Sequence, residues 1–152
     1  MIIKPLIEEL FDIEKEEIYC SILPTTTQYA RNSLFSGLMP LEIKNKFPDK
    51  WVDEDENEGK NLHEEFFLNE NLKRNSIAGK FSYSKITNLS KGKKLLSNFN
   101  NLLQNNLNTI VYNFVDTLSH ARTEMEVIKE LAEDESAYRS LTLSWFKHSP
   151  LY

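Results

Sequence analysis

Along this chain, short apolar runs typical of strands alternate with longer segments in which apolar residues recur at helical spacing. This pattern is typical of an α/β protein. Residues 19–23 and 108–115 are apolar, β-branched or aromatic runs long enough for buried strands, and Phe81–Ile86 alternates like a short peripheral strand. Helical apolar spacing is found at 2–11, from Thr27 onward, at 41–47, 62–72, 95–107, 121–132 and 134–146. We therefore predict a parallel sheet flanked by helices.

Composition narrows the class of protein. With 40% hydrophobic and 27% charged residues, the 152-residue chain is expected to form a water-soluble domain with its own core. A formal net charge of −5 disfavours a surface that binds nucleic acids in general, although a local basic groove is compatible with this charge. The single cysteine, Cys20, excludes an internal disulfide, and its apolar surroundings predict a buried, inert thiol. Without a signal peptide or an apolar run of membrane-spanning length, a cytoplasmic location without membrane insertion is expected.

Three threonines, Thr25, Thr26 and Thr27, lie between the first predicted strand, which stops at Pro24, and the helix that follows. Hydroxyl groups at this turn are close to the first unpaired N–H groups of the helix, where positive partial charge favours an anion. A phosphate ester is the ligand that we expect at such a position. The alternative is that one threonine only caps the helix.

A carboxylate and an imidazole follow the strand predicted at 108–115. Asp116 comes directly after this run, and His120 follows four residues later, a separation that lets both side chains reach one divalent metal ion. Ligands of open α/β sheets bind at the carboxyl ends of the strands. A hydroxyl at one strand end and metal ligands at another together predict metal-assisted phosphoryl transfer, with Thr27 and Asp116 facing one cleft.

Several of these segments resemble one known family, the PglZ-type domain of the alkaline phosphatase superfamily. The resemblance is carried by residues 21–32, 35–40, 112–124, 137–141 and 144–146, so it covers nearly the whole chain. Within this family, the segments look most like the effector domain of the response regulator of the type IX secretion system in Bacteroidetes. The resemblance implies an alkaline-phosphatase-like parallel sheet flanked by helices.

The resemblance also implies a set of site residues and two zinc ions. The segment that begins at Pro24 matches a family pattern that favours Thr27 as the nucleophile and as a metal contact, with Thr25 and Thr26 as alternatives. Asp116 and His120 match the pair that holds one zinc ion. The side chains implied to hydrogen-bond phosphate oxygens are those of Asn32, Arg31 and Arg122, and for these three a structural salt bridge or cap is the alternative.

Other ligands of the family pattern have no counterpart in this sequence. The pattern includes an upstream aspartate, an adjacent aspartate–histidine pair and a final histidine, and no Asp-His dipeptide occurs here. We therefore expect residues 1–152 to be the central part of a larger domain, without the receiver domain and the C-terminal remainder. Such a chain is expected to be inactive by itself and to bind zinc poorly, because a catalytic zinc site usually needs three protein ligands.

The resemblance implies that the parent activity is zinc-dependent hydrolysis of phosphoesters, with phosphodiesters in short or cyclic oligonucleotides as the expected substrates. A receiver domain, a sensor kinase and a sigma factor are the implied partners, and a homodimer stays open. Two other functions are compatible with the sequence: a non-catalytic regulatory or protein-interaction module, and a PglZ-type phosphatase of phage defence.

A basic stretch at 90–94 superficially resembles the end of a phosphate-binding loop. The upstream glycine at the required spacing is missing, so the sequence predicts a solvated turn that leads into the helix at 95–107. Contact between these lysines and an acidic substrate is also compatible with the sequence.

Overall fold

The structure, a computed structural model, describes residues 4–9, 11–52, 61–113, 116, 120, 126, 130 and 134–147. The chain forms two compact units, which we call the helical unit (Glu16–Ala78) and the sheet unit (Met1–Lys15 with Gly79–Tyr152). The described elements include helices and a two-stranded parallel sheet, so the predicted α/β class with a parallel sheet flanked by helices is confirmed. None of the helices in the described part is long and apolar enough to cross a membrane.

The elements follow one another in the order helix-rich segment, strand, helices, strand, helix. They are α1 (Lys4–Glu8), α2 (Thr27–Ser36), α3 (Pro40–Lys46), a 3₁₀ turn (Pro48–Lys50), α4 (Glu64–Arg74), β1 (Phe81–Ile86), α5 (Leu89–Ser97), α6 (Phe99–Leu102), β2 (Leu107–Tyr112) and α7 (Glu135–Lys147). The helices predicted at the start of the chain, from Thr27, at 41–47, 62–72 and 134–146 are therefore confirmed, with shifted ends. Most of the helix predicted at 121–132 lies outside the described residues.

The helical unit is built on the packing of α2 against α4. Its core contains Ile43 of α3 and Phe67 of α4, which are both fully buried, together with Leu68. Phe47 packs edge-on against Phe66 at 5.2 Å between ring centroids, which extends the apolar contact between α3 and α4. Burial of these large apolar side chains is the main stabilising contribution in the unit.

Hydrogen bonds from α4 hold the C-terminal end of α2. The Asn71 side-chain amide donates to the Phe35 carbonyl at 3.0 Å, and the Arg74 guanidinium donates to the Ser36 carbonyl. Gly37 ends α2 in the left-handed conformation (φ 62°), and its N–H donates to the Ser33 carbonyl. These contacts satisfy carbonyl groups that the end of a helix otherwise leaves without partners.

The sheet unit contains β1 and β2, which pair in parallel register from Phe81 opposite Leu107 to Ile86 opposite Tyr112. Helices α5 and α6 connect the two strands, as a parallel pair requires. Ile86, Leu95 and Leu102 form the buried cluster, against which Tyr112 packs. The two predicted strands at 81–86 and 108–115 are therefore confirmed over Phe81–Ile86 and Leu107–Tyr112, while residues 114 and 115 lie outside the described part.

The strand predicted at 19–23 is wrong. Residues 11–26 contain no helix or strand, and Leu23 is 86% exposed. Cys20 is also exposed, so the predicted burial of its thiol is wrong. A run of strand-forming residues needs a neighbouring strand to satisfy its backbone groups, and the described residues supply none for this segment.

The boundary of the helix predicted at 95–107 is also wrong. The basic stretch at 90–94 lies inside α5, because the Asn88 side chain caps the helix by accepting a hydrogen bond from Lys91 N–H at 3.0 Å. The chain then leaves the helix at Asn98, forms the short α6 and enters β2 at Leu107. A strong cap therefore outweighs the low helix propensity of Gly92.

Candidate active site

The three threonines precede and begin α2. Thr26 has the extended backbone of an N-cap residue (φ −64°, ψ 151°), and its carbonyl accepts from the N–H groups of Tyr29 and Ala30. Its side chain forms no capping hydrogen bond, so the structure does not show the capping role that we considered for a threonine. Thr25, Thr26 and Thr27 are all exposed. Their hydroxyl groups are thus accessible beside a helix N-terminus, which favours negative charge and whose first turn contains no acidic residue.

Arg31 and Asn32 lie one turn further along α2, where the helix meets α4. Arg31 Nε is 2.6 Å from Glu64 Oε1, and the Glu64 side chain is only 1% exposed. The salt-bridge alternative therefore describes the observed contact of Arg31. Asn32 is 2% exposed, and this burial gives no support to a contact between its amide and a phosphate. Phosphate binding by either residue stays a prediction.

Asp116 and His120 are brought together by helical geometry. Both residues are helical, and His120 Nε2 lies 3.7 Å from Asp116 Oδ1. Side chains four residues apart share one face of a helix, so the spacing seen in the sequence explains the contact. Both side chains are largely exposed, which leaves them accessible to a metal ion.

The separation of this pair fits two positions around zinc. Two donors at about 2.0–2.1 Å from a tetrahedral zinc ion are about 3.3–3.4 Å apart, close to the observed distance. A carboxylate oxygen and an imidazole nitrogen are also donor types that zinc accepts. Within the described residues, no group of three or more His, Cys, Asp and Glu side chains lies close enough to hold one metal ion.

The predicted site residues are distributed over both units. Thr27, Arg31 and Asn32 belong to the helical unit, and Asp116 and His120 belong to the sheet unit. Arg122 lies outside the described residues. A shared cleft for Thr27 and Asp116 therefore stays a prediction.

A cavity of about 520 Å³ in the helical unit was not expected from the sequence. Residues 19–22 line it together with α2, Gly37 and the start of α3. Arg31 and Glu42 contribute its charged groups, and most of the other lining side chains are apolar. The apolar run at 19–22 was the available signal, but we interpreted it as a buried strand.

Comparison with known families identifies the chain. The model of a family described as the BREX system PglZ alkaline phosphatase-like domain matches residues 3–146. This match spans nearly all of the sequence, including both candidate parts of the site. No curated protein matches the chain.

Proposed function

Because the chain belongs to the PglZ family of alkaline phosphatase-like domains, we propose that it takes part in zinc-dependent hydrolysis of phosphoesters. Family membership supports phosphoester chemistry. The observation that carries the role of a metal is the Asp116–His120 pair, whose 3.7 Å separation suits two zinc ligands. When bound, zinc would supply positive charge that stabilises an alkoxide and the negative charge on phosphoryl oxygens.

In this proposal, Thr27 is the nucleophile. Its oxygen forms a bond to phosphorus as its hydroxyl proton is lost, the ester P–O bond breaks, and the leaving oxygen takes up a proton. Water then hydrolyses the phospho-threonine and restores the hydroxyl. The exposed position of Thr27 at the first residue of α2 supports the role, because the N–H groups of the first turn favour negative charge. Thr25 and Thr26 are also exposed and are the alternatives.

The substrate class that we favour is a phosphodiester in a short or cyclic oligonucleotide. The motifs at 21–32 and 112–124 support it through their likeness to PorX, the response regulator of the type IX secretion system. In such a protein, the domain would act with a receiver domain, a sensor kinase and a sigma factor, and a homodimer is compatible with this arrangement.

A phosphatase of phage defence is the second candidate function. It is favoured by the matching family model, whose description names the BREX system. The two candidates differ in what accompanies the domain. A receiver domain in the full-length gene product, with phosphorylation-dependent turnover, would support the response regulator, and its absence from that product would favour phage defence.

The nucleophile is tested by replacing Thr27 with valine, which keeps the β-branched shape and removes the hydroxyl. Hydrolysis of bis(p-nitrophenyl) phosphate by the full-length gene product with zinc should fall by about a thousandfold or more. Thr27→Ser should keep measurable turnover, and circular dichroism should show the same helix content in each variant. Near-normal turnover of Thr27→Val, with loss of turnover in Thr25→Val or Thr26→Val, would move the role to that residue.

The metal pair is tested by zinc titration calorimetry of the full-length gene product. Asp116→Asn and His120→Gln should each weaken zinc binding by about a hundredfold or more, because each removes a direct ligand. His63→Gln is the matched control, since it makes the same change at a histidine that is not among the proposed ligands, and it should leave the affinity unchanged. Unchanged zinc binding in both site variants would contradict the proposed ligands. A folded protein without zinc binding or turnover would instead support the non-catalytic module.

A further inference from the structure

Positive charge is concentrated in one segment of this acidic protein. Residues 75–115 contain five lysines and no aspartate, glutamate, arginine or histidine. Since the whole chain has a formal net charge of −5, the remainder carries −10. Segregation of charge on this scale creates a local field that attracts anions even though the protein as a whole is acidic.

Three of the five lysines converge on one cavity of the sheet unit, which we call the lysine cavity. It has a volume of about 580 Å³, lies between the end of β1 and helix α5, and is lined by no carboxylate of the described residues. Its polar lining consists of Lys85, Lys91, Lys94, Ser84, Ser97 and Asn98. Ile86 and Leu95, which belong to the buried apolar cluster, form the rest of the wall.

The two lysines of α5 that line the cavity are suited to binding an external anion. Lys91 and Lys94 are three residues apart and therefore lie on the same side of the helix, and both are exposed. Among the described residues, no carboxylate forms an ion pair with either side chain. Asn88 fixes the start of the helix that carries them. An incoming anion thus has no carboxylate of the described residues to displace from these two lysines.

The position of the lysine cavity in the sheet also favours a ligand. The last three residues of β1 line it, and β1 runs parallel to β2 with Ile86 opposite Tyr112. The cavity therefore lies at the carboxyl edge of the sheet, where ligands of open α/β sheets bind. β2 also ends at this edge, four residues before Asp116 in the sequence.

We propose that the lysine cavity binds the phosphate groups of a multiply charged phosphate compound. Ammonium groups pair with phosphate oxygens as point charges, and the Ser84 hydroxyl and the Asn98 amide add neutral hydrogen-bond donors. The volume is within the range of pockets that accept nucleotide-sized ligands. The site uses none of the residues of the proposed hydrolytic centre, so it is an additional anion site that stands whether or not that centre is active.

The test measures binding by fluorescence anisotropy of a 5′-fluorescein-labelled hexathymidylate with the full-length gene product. EDTA is present throughout, so binding through a metal ion does not contribute and the result is independent of turnover. The test variant is Lys91→Gln/Lys94→Gln. The matched control is Lys80→Gln/Lys93→Gln, which changes the net charge equally at two lysines that do not line the cavity, one of them on the same helix.

The test variant should weaken binding by about tenfold or more, and the control by less than about twofold. The slope of log affinity against log salt concentration should become shallower by about 1.4 in the test variant, since each lost phosphate contact of a single strand contributes about 0.7. Lys91→Arg/Lys94→Arg should restore most of the binding, which would exclude misfolding as the cause of the loss.

Competition by unlabelled compounds identifies the form of the ligand. Displacement by millimolar pyrophosphate would assign the site to compact phosphate compounds, and displacement by unlabelled hexathymidylate alone would assign it to an extended phosphodiester chain. Absence of binding by the unmodified protein would overturn the proposal. Equal losses in the test variant and the control would also overturn it, because diffuse attraction would then explain the binding.

Discussion

Replacement of Arg31 by methionine is expected to destabilise the helical unit, because the partner of this arginine is a buried carboxylate. Glu64 is at the start of α4 and its side chain is 1% exposed, whereas the Arg31 side chain is 27% exposed. Methionine keeps most of the aliphatic volume but removes the guanidinium. The Glu64 carboxylate then stays in a largely water-excluded place without the positive charge that is now 2.6 Å away.

The expected loss follows from the position of the pair between protein interior and solvent. A pair of unit charges about 4 Å apart interacts by about 4 kcal/mol at an effective dielectric constant of 20, and by about 1 kcal/mol in water. Because Arg31 is partly screened by solvent, we expect the free energy of unfolding to fall by about 2–3 kcal/mol. Arg31→Lys should cost less, since the charge is kept while the planar guanidinium is lost.

Urea unfolding followed by tryptophan fluorescence measures this loss. In a Trp145→Phe background, Trp51 is the remaining tryptophan, and it reports on the helical unit because it packs against Tyr29 of α2. Glu64→Gln in the same background removes the buried charge, so adding Arg31→Met to it should cost much less than Arg31→Met alone. A loss below about 0.5 kcal/mol in the single variant, or equal losses with and without Glu64→Gln, would refute the reasoning.

Three further outcomes are expected from other contacts. Gly37→Ala should destabilise the helical unit by about 1–3 kcal/mol in the Trp51 assay, because φ is 62° and the added Cβ would lie 2.9 Å from Asn71 Oδ1; an unchanged midpoint would contradict this. Asn88→Ala should lower the stability of the sheet unit by about 1 kcal/mol in urea unfolding monitored by circular dichroism, while Asn88→Asp should keep the cap. The exposed thiol of Cys20 should react in the native protein with Ellman's reagent at nearly the rate seen in urea, whereas a much slower native reaction would show that it is covered.

Local patterns were sufficient to predict the elements whose cause is local. Helix α2 begins after a threonine and ends at Gly37, and both signals are visible in the sequence. The contact of Asp116 with His120 follows in the same way from a spacing of four residues on a helix. The prediction of a strand at 19–23 was wrong because composition indicates only a preference for strand. A strand also requires a neighbouring strand, which composition does not reveal.

Contacts between distant positions could not be predicted. Arg31 has the charge for either a phosphate or a carboxylate, and only the packing of α2 on α4 shows that its observed partner is Glu64. The lysine cavity is a similar case, since the stretch at 90–94 looked like a solvated turn. The Asn88 cap, which converts this stretch into a helix beside β1, depends on one residue just outside the basic run.

The constant offset between the two strands has a consequence for the order of folding. Each residue of β1 pairs with a residue 26 positions later, and the intervening chain forms α5 and α6. The entropic free-energy cost of closing a loop of this length exceeds that of a loop of half the length by only about 0.6 kcal/mol. The segment from 81 to 112 can thus pair before any distant part of the chain arrives, and it contains every lining residue of the lysine cavity. A phosphate compound that binds there would speed folding if this segment pairs before the rest of the chain, and would only slow unfolding if the segment pairs late.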